Sequence, residues 1–459
     1  MWDNSHMTLA TEPELPTGTS VVLAAQTLGS IVRRTPLEYS ARLSRAVGRP
    51  VYLKREDVQV GRSYKVRGAY NFISSLTPEE AKRGVVAASA GNHAQGVAYA
   101  CNKLGITGTI FIPATTPRQK RHRIRDIGGS AITLIEAGAT FDETNAAAIE
   151  YAEDAGAIYV HPFDDLRTIA GQGTVVKEIF EQAGQPPAAV LVPVGGGGLL
   201  AGTLAWVKQF HPEVEVIGVE PSGAASLQAA LEAGEPVTLP RVNSFADGTA
   251  VARVGDTTFA AARKYVDRLV TVPEGALSTE MLNLYQVEGI ITEPSGALAP
   301  AALRFLAPSD DAPAAGSQAP AAGPKTGAPT SPEAPASPQK PLPDGPIACI
   351  ISGGNNDVSR YADIVQRSMV YEGLRHYFLV TFPQKPGALR LFLDEVLSDG
   401  EDIVLFEYTK KNNRETGPAL VGIEIDDPAS ITSLLARMEE SELNIEKLEP
   451  DSPAFKYFL

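Results

Sequence analysis

Short, almost continuously apolar runs recur along the first three quarters of the chain, separated by longer segments with helical spacing. The runs are Val51–Lys54, Gly84–Ser89, Gly108–Pro113, Ala131–Ile135, Ala157–Val160, Ala188–Pro193, Val214–Glu220 and Ile347–Ser352. Strands covered on both faces lose the alternation of a half-exposed sheet, so these runs predict a mainly parallel sheet. Intervening segments such as Asp142–Ala155 and Leu199–Gln209 read as helices. The pattern is that of an α/β layered architecture.

Residues 307–344 break this pattern. They are rich in Ala, Pro, Ser and Gly and contain no aromatic residue, a composition that predicts a disordered insert. It is read as a loop embellishment within one domain, since closure entropy grows slowly with loop length; an interdomain linker is the other possibility. A second unit begins near Leu374. A strand at His376–Phe382 leads to Pro386-Gly387 and a helix with Leu389, Phe392, Leu393, Val396 and Leu397 on one face. Strands at Asp402–Lys411 and Pro418–Asp426 flank a turn at 412–417. A helix burying Ile431, Leu434, Leu435 and Met438 and a last strand at Leu443–Leu448 follow. The order β-α-β-β-α-β is that of a ferredoxin-like domain. The expected layout is a tail at 1–19, a catalytic domain at 20–360 and a small domain at 374–459.

Composition narrows the class. The 459 residues exceed what one core usually holds, and 44% hydrophobic with 20% charged residues is ordinary for a globular enzyme. The net charge of −14 argues against nucleic acid or an anionic membrane as partner. No apolar run reaches the roughly 20 residues of a membrane helix, and no basic-then-apolar leader opens the chain. Two cysteines, Cys101 and Cys349, in apolar surroundings fit a reducing cytoplasm. The six histidines lack ligand spacing, so no metal site is expected.

Four loops carry the chemistry. Gly61-Arg-Ser-Tyr-Lys65-Val-Arg-Gly-Ala-Tyr70 sets Lys65 at a helix start beside Tyr64. There the positive end of the helix dipole disfavours the ammonium form, and a less protonated lysine condenses with aldehydes. Ser89-Ala-Gly91-Asn-His93-Ala-Gln-Gly96 lies between a strand and a helix, where successive N–H groups form a nest for a carboxylate. Gly195-Gly-Gly-Gly198, after an apolar strand and before a helix, lets four backbone amides converge on a phosphate. Ile351-Ser352-Gly-Gly-Asn355 ends a strand with a hydroxyl able to hydrogen-bond a ring nitrogen without protonating it. Each loop alone also suits an ordinary helix start or strand turn. Gly196, Gly198 and Ala201 further satisfy Gly-x-Gly-x-x-Ala, with Glu220 ending the next strand, as in a dinucleotide site. That reading leaves the other three loops unexplained.

In order and spacing the four loops resemble the fold type II pyridoxal-phosphate enzymes, and the chain is similar to the threonine dehydratase family over roughly residues 20–306 and 345–459. The resemblance implies a tryptophan synthase β-like catalytic domain and a C-terminal ferredoxin-like α+β domain of the ACT-like regulatory kind. It implies Lys65 as the Schiff-base lysine and catalytic base, with Tyr64, at a family phenylalanine position, beside the ring. It implies Asn92 on the cofactor's 3-hydroxyl, Gly195, Gly196, Gly197 and Gly198 on its phosphate, and Ser352 on its pyridine nitrogen. Ser89, Ala90, Gly91 and His93 would line the substrate-carboxylate loop.

The implied activity is deamination of L-threonine to 2-oxobutanoate and ammonia in isoleucine biosynthesis, by a cytoplasmic homo-oligomer, expected to be a tetramer. Isoleucine would inhibit, valine would oppose it, and Gly387, Ala388 and Leu389 would receive the effector. Serine racemases of this fold carry a serine where this chain has Ala90, so racemisation should be poor. Cysteine synthases carry threonine where it has His93. Side activity on L-serine is expected, since one methyl group discriminates by only about 1–3 kcal/mol. A family cation site near Glu220 and Ala224 is doubtful here, because Ser226 stands where an acidic ligand belongs. A nicotinamide oxidoreductase and a non-catalytic amino-acid sensor are the competing classes, and the presence of Lys65 with a phosphate loop argues against the sensor.

Overall fold

The structure, a computed structural model, describes residues 13–307, 340–408, 414–450 and 452–458. Most of the tail (1–12), most of the Pro/Ala-rich insert (308–339) and residues 409–413, with the start of the 412–417 turn, lie outside the described residues. The chain divides into two compact units, Met1–Asp357 and Val358–Leu459.

In the first unit the strands, in chain order, are β1 (Leu37–Tyr39), β2 (Val51–Arg55), β3 (Val85–Ala88), β4 (Gly108–Ile112) and β5 (Ile132–Glu136). They continue with β6 (Ile158–Tyr159), β7 (Ala189–Pro193), β8 (Glu215–Pro221), β9 (Arg268–Val272) and β10 (Ile347–Ile351). Six of them form one sheet in the order β1-β2-β10-β7-β8-β9, parallel except for β1. The others form a parallel sheet in the order β5-β4-β3-β6. Strands β3, β7 and β10 are buried throughout, which is why they lack polar alternation. β1 and β9, not anticipated from the sequence, are the two edges of the larger sheet. Leu37-Glu-Tyr39 and Arg268-Leu-Val-Thr-Val272 show no continuous apolar run.

Each sheet has its own core. Val190, Val192, Val216, Leu200 and Leu204 pack under the larger sheet, and Val85, Ala87, Ile110, Val97 and Phe72 under the smaller. Helix Leu166–Gln182 packs against both Lys65–Ser74 and Gly198–Phe210. The loops at the C-terminal ends of β3, β7 and β10 are the Ser89, Gly195 and Ser352 loops, where ligands bind in open α/β sheets.

The second unit opens with the helix Tyr361–Tyr371. Then come β11 (Arg375–Pro383), helix Ala388–Glu395, β12 (Glu401–Tyr408), β13 (Thr416–Ile425), helix Ile431–Glu440 and β14 (Asn444–Leu448). The sheet order is β12-β13-β11-β14, antiparallel at every neighbour. Phe378, Val380, Phe392, Val421, Ile423 and Leu434 form its core. This is the β-α-β-β-α-β topology of the ferredoxin-like class.

Candidate active site

Tyr64 is the N-cap and Lys65 the first residue of helix Lys65–Ser74. Lys65 Nζ donates to the carbonyl of Pro162 at 2.9 Å and lies 5.4 Å from the Tyr64 ring centroid. Burial drives the Lys65 pKa down to about 8, against the opposing pull of the Glu293 carboxylate. Burial and Glu293 together push the Tyr64 phenol upward, so it stays protonated. The amine is therefore partly neutral near neutral pH, as an aldehyde-capturing lysine requires.

The Ser89–Gly96 loop reaches the lysine through helix Asn92–Leu104. Ser89 Oγ accepts the Gly91 N–H at 3.1 Å, and Gly91, the helix N-cap, has open space where a Cβ would stand. Ala90, beside it, is half-buried and offers no proton. His93 Nε2 lies 2.8 Å from the Val160 carbonyl, so it carries the hydrogen and Nδ1 is a bare acceptor. Nδ1 is buried without a hydrogen-bond partner. Burial and then the nearby Lys65 lower the His93 pKa to about 3, so the ring is neutral.

The tetraglycine loop has the shape and the free donors that a phosphate needs. Gly197, at φ 89°, caps helix Gly198–Phe210 in the left-handed region that favours glycine. A Cβ on Gly196 would overlap the Phe163 ring, and one on Gly195 would sit 2.8 Å from Thr249 Cα. Gly196, Gly197 and Gly198 are buried, and no described residue accepts a hydrogen bond from their N–H groups. Buried amides without partners at a helix N-terminus are a cradle for an anion. Thr258 closes the loop by donating to the Gly196 carbonyl at 2.7 Å. Pro162 and Phe163 join the two ends of the site, one receiving the lysine and the other covering the glycines.

Ser352 follows β10, and its carbonyl accepts the Tyr64 N–H at 3.2 Å. Its hydroxyl donates to the Ser295 carbonyl at 3.1 Å, so donating to a ring nitrogen requires the O–H to turn about the Cβ–Oγ bond. Lys65, Asn92, the glycines and Ser352 thus gather around one centre. Gly387, Ala388 and Leu389 belong to the second unit.

Glu293, Pro162 and Phe163 escaped the sequence reading, and Asn355 stood in it only as the end of the fourth loop. Glu293, 4% exposed, accepts from Asn92 Nδ2 at 2.6 Å, and Asn355 Nδ2 donates to Asn92 Oδ1 at 2.7 Å. Burial, reinforced by Asp247, raises the Glu293 pKa to about 7. Among the described residues no group of three His, Cys, Asp or Glu could hold a metal. Glu220 instead spends its carboxylate on the N–H groups of Leu227 and Gln228, at 2.8 and 2.9 Å. No helix of the described residues is long and apolar enough to cross a membrane.

The sequence profile of the pyridoxal-phosphate dependent enzymes matches residues 29–314, so the cofactor of this chain is pyridoxal phosphate. The profile of the C-terminal regulatory domain of threonine dehydratase matches residues 366–459. The chain is 51% identical over 444 residues, 96% of each chain, to the L-threonine dehydratase biosynthetic IlvA of Mycobacterium bovis. It is 47% identical to that of Corynebacterium glutamicum, covering 98% of this chain and 97% of the relative. The solved structure of processed threonine deaminase isoform 2 from Solanum lycopersicum is 36% identical with a TM-score of 0.64, covering 78% of this chain and 95% of that one. The chain belongs to the biosynthetic L-threonine dehydratases.

Proposed function

We propose that the chain converts L-threonine to 2-oxobutanoate and ammonia, with Lys65 as the base. The observation that carries this reading is an amine with a pKa of about 8 at a helix start, linked through Pro162-Phe163 to a buried tetraglycine cradle. Bound pyridoxal phosphate supplies the electron sink that acidifies the Cα–H bond of an amino acid. Gly195 to Gly198 hold its phosphate, Asn92 its 3-oxygen and Ser352 its ring nitrogen. Ser89, Ala90, Gly91 and His93 receive the substrate carboxylate, and the open space above Gly91 suits that role.

Lys65 takes the Cα proton, the β-hydroxyl leaves as water, and water returns to release ammonia and the 2-oxo acid. Ser352 offers a hydroxyl rather than a carboxylate, so it does not hold a charge on the ring nitrogen. That favours elimination over chemistry needing a fully charged ring. Ala90 has no proton for the opposite face, which disfavours racemisation. L-serine, smaller by a methyl group, is a slower second substrate.

The second unit is read as the regulator. A cleft of about 360 Å³ is lined by Phe382, Pro386, Gly387, Leu389, Phe406 and Tyr408. Gly387, at φ 91°, caps the helix Ala388–Glu395 there. Apolar walls beside a helix start suit an apolar amino acid such as isoleucine, with valine as competitor. A cytoplasmic homotetramer is the form proposed.

The test is 2-oxobutanoate production from L-threonine by the full chain, with and without isoleucine, and after borohydride treatment. Turnover lost on borohydride and suppressed by isoleucine is expected. A colourless protein without turnover would overturn the reading, and turnover indifferent to isoleucine would remove its regulatory half.

A further inference from the structure

Asn92, Asn355 and Glu293 close a ring of hydrogen bonds whose direction is set at every link. Asn355 Nδ2 donates to the carbonyl of Gly61 and to Asn92 Oδ1, both at 2.7 Å. Asn92 Nδ2 donates to Glu293 Oε1 at 2.6 Å, and Glu293 Oε2 accepts the Asn355 backbone N–H at 3.2 Å. A backbone carbonyl only accepts and a backbone N–H only donates, so the two ends anchor the polarity of the whole ring. Turning the Asn92 carboxamide over would set its oxygen against the Glu293 carboxylate and its NH₂ against that of Asn355. The carboxyl reaches this place because residue 353 is glycine; a Cβ there would collide with Glu293 Oε1. After these bonds Asn92 Nδ2 keeps one hydrogen without a partner among the described residues.

We propose that Glu293 and Asn355 are positioning residues that hold the Asn92 carboxamide with its spare N–H, not its oxygen, turned to the cofactor's 3-oxygen. The inference rests on the reading of Asn92 as a cofactor contact. A phenolate oxygen gains from a donor and is repelled by a carbonyl, so the orientation of one amide decides the sign of the contact. The ring is tied to Gly61, four residues before Lys65. One network therefore aligns the amide and steadies the turn that delivers the lysine.

The test compares cofactor affinity, the visible absorption spectrum and the thermal midpoint of the full-length protein with those of four variants. Asn92→Ala removes the contact. Asn355→Asp replaces the donor facing Asn92 Oδ1 with an acceptor and drives the amide over. Glu293→Gln keeps only one of the two Glu293 links in either of its own orientations. The double variant Asn355→Asp/Glu293→Gln rebuilds the Asn92 links with reversed polarity. N92A and N355D are expected to weaken cofactor binding about tenfold and to shift the absorption maximum, with E293Q between them and wild type. The double variant is expected to regain thermal stability over N355D while its affinity stays weak and its spectrum shifted. Recovery of affinity and spectrum together with stability would assign the ring a purely structural role and overturn the proposal. Wild-type binding by N355D, with N92A impaired, would overturn it as well. Wild-type binding by N92A would instead sink the reading of Asn92 as a cofactor contact.

Discussion

Gly96 lies against the backbone of Lys65, so closely that a Cβ added to it would stand 3.0 Å from the Lys65 carbonyl oxygen and 3.2 Å from Ala69 Cβ. The lysine and the Ser89–Gly96 loop are thereby held in one relation by the packing of two helices. Alanine at 96 gains about 1 kcal/mol of helix propensity and loses about 1–3 kcal/mol to overpacking. The balance is a net loss of about 0–2 kcal/mol, so G96A should lower the thermal midpoint by no more than a few degrees while lowering kcat several-fold through displacement of Lys65. Steady-state kinetics beside calorimetry check this; an unchanged kcat would show that the spacing is not critical.

The depressed pKa of Lys65 has two consequences of known sign. At pH 7 a pKa of about 8 leaves roughly one amine in ten neutral, against about three in ten thousand at the ordinary value. Capture of pyridoxal phosphate by the cofactor-free protein should accelerate with pH up to about 8 and then level off, as followed by stopped-flow absorbance. A rise continuing to pH 10 would contradict the assignment. Stability follows the same proton. The unfolded chain holds it up to about 10.5 and the folded chain only to about 8, so the contribution of Lys65 to stability rises with pH across that window. Lys65→Met should raise the midpoint of the cofactor-free protein at pH 7 and lose that advantage towards pH 10.5.

Arg67 is fully buried between two carboxylates, bonding Glu56 at 2.8 and 2.9 Å and Glu178 at 2.7 and 3.0 Å. Lys54 adds a bond to Glu178 at 2.6 Å. Burial alone would raise the Glu56 pKa, but Arg67 and Lys54 outweigh it and hold the carboxyl below its usual range. Its stabilisation is therefore present above about pH 4.5 and lost as the pH falls further. Arg67→Leu leaves Glu56 charged and unpaired in the interior, a loss of about 3–5 kcal/mol. The penalty should be largest at neutral pH and shrink towards pH 4, as Glu56 takes up a proton. Adding Glu56→Gln should recover part of it. Urea titrations at several pH values give the comparison, and a pH-independent penalty would rule out this cause.

The tetraglycine loop was legible because packing alone rarely demands four glycines in a row; the other three each suit an ordinary helix start or strand turn and were read only from their joint order and spacing. The interior strands were legible because they are buried on both faces. Glu293 was not, because it stands before a proline-started helix and reads as an ordinary helix entry. Its partners lie 201 and 62 positions away, and no spacing rule connects such distances. Pro162 and Phe163 act through a carbonyl and a ring face, neither of which requires a characteristic residue type. β1 and β9 escaped because Leu37-Glu-Tyr39 is only three residues long and Arg268-Leu-Val-Thr-Val272 is broken by Thr271, so neither gives a continuous apolar run.

The cleft of the second unit makes the regulatory half of the proposal separable from the catalytic half. Leu389 is 41% exposed and lines the cleft one residue into helix Ala388–Glu395, while Phe392 on the same helix is fully buried in the core. A charge at 389 therefore fills the cleft without entering the core. Leu389→Asp should leave L-threonine turnover intact and raise the isoleucine concentration needed for half-inhibition at least about tenfold. That factor corresponds to about 1.4 kcal/mol of lost binding, which the desolvation of one carboxylate against an apolar ligand readily exceeds. Calorimetric titration with isoleucine should show the same loss of affinity, because coupling between sites acts on binding at both. Unaltered inhibition in L389D, with the variant folded and active, would move the effector site away from this cleft.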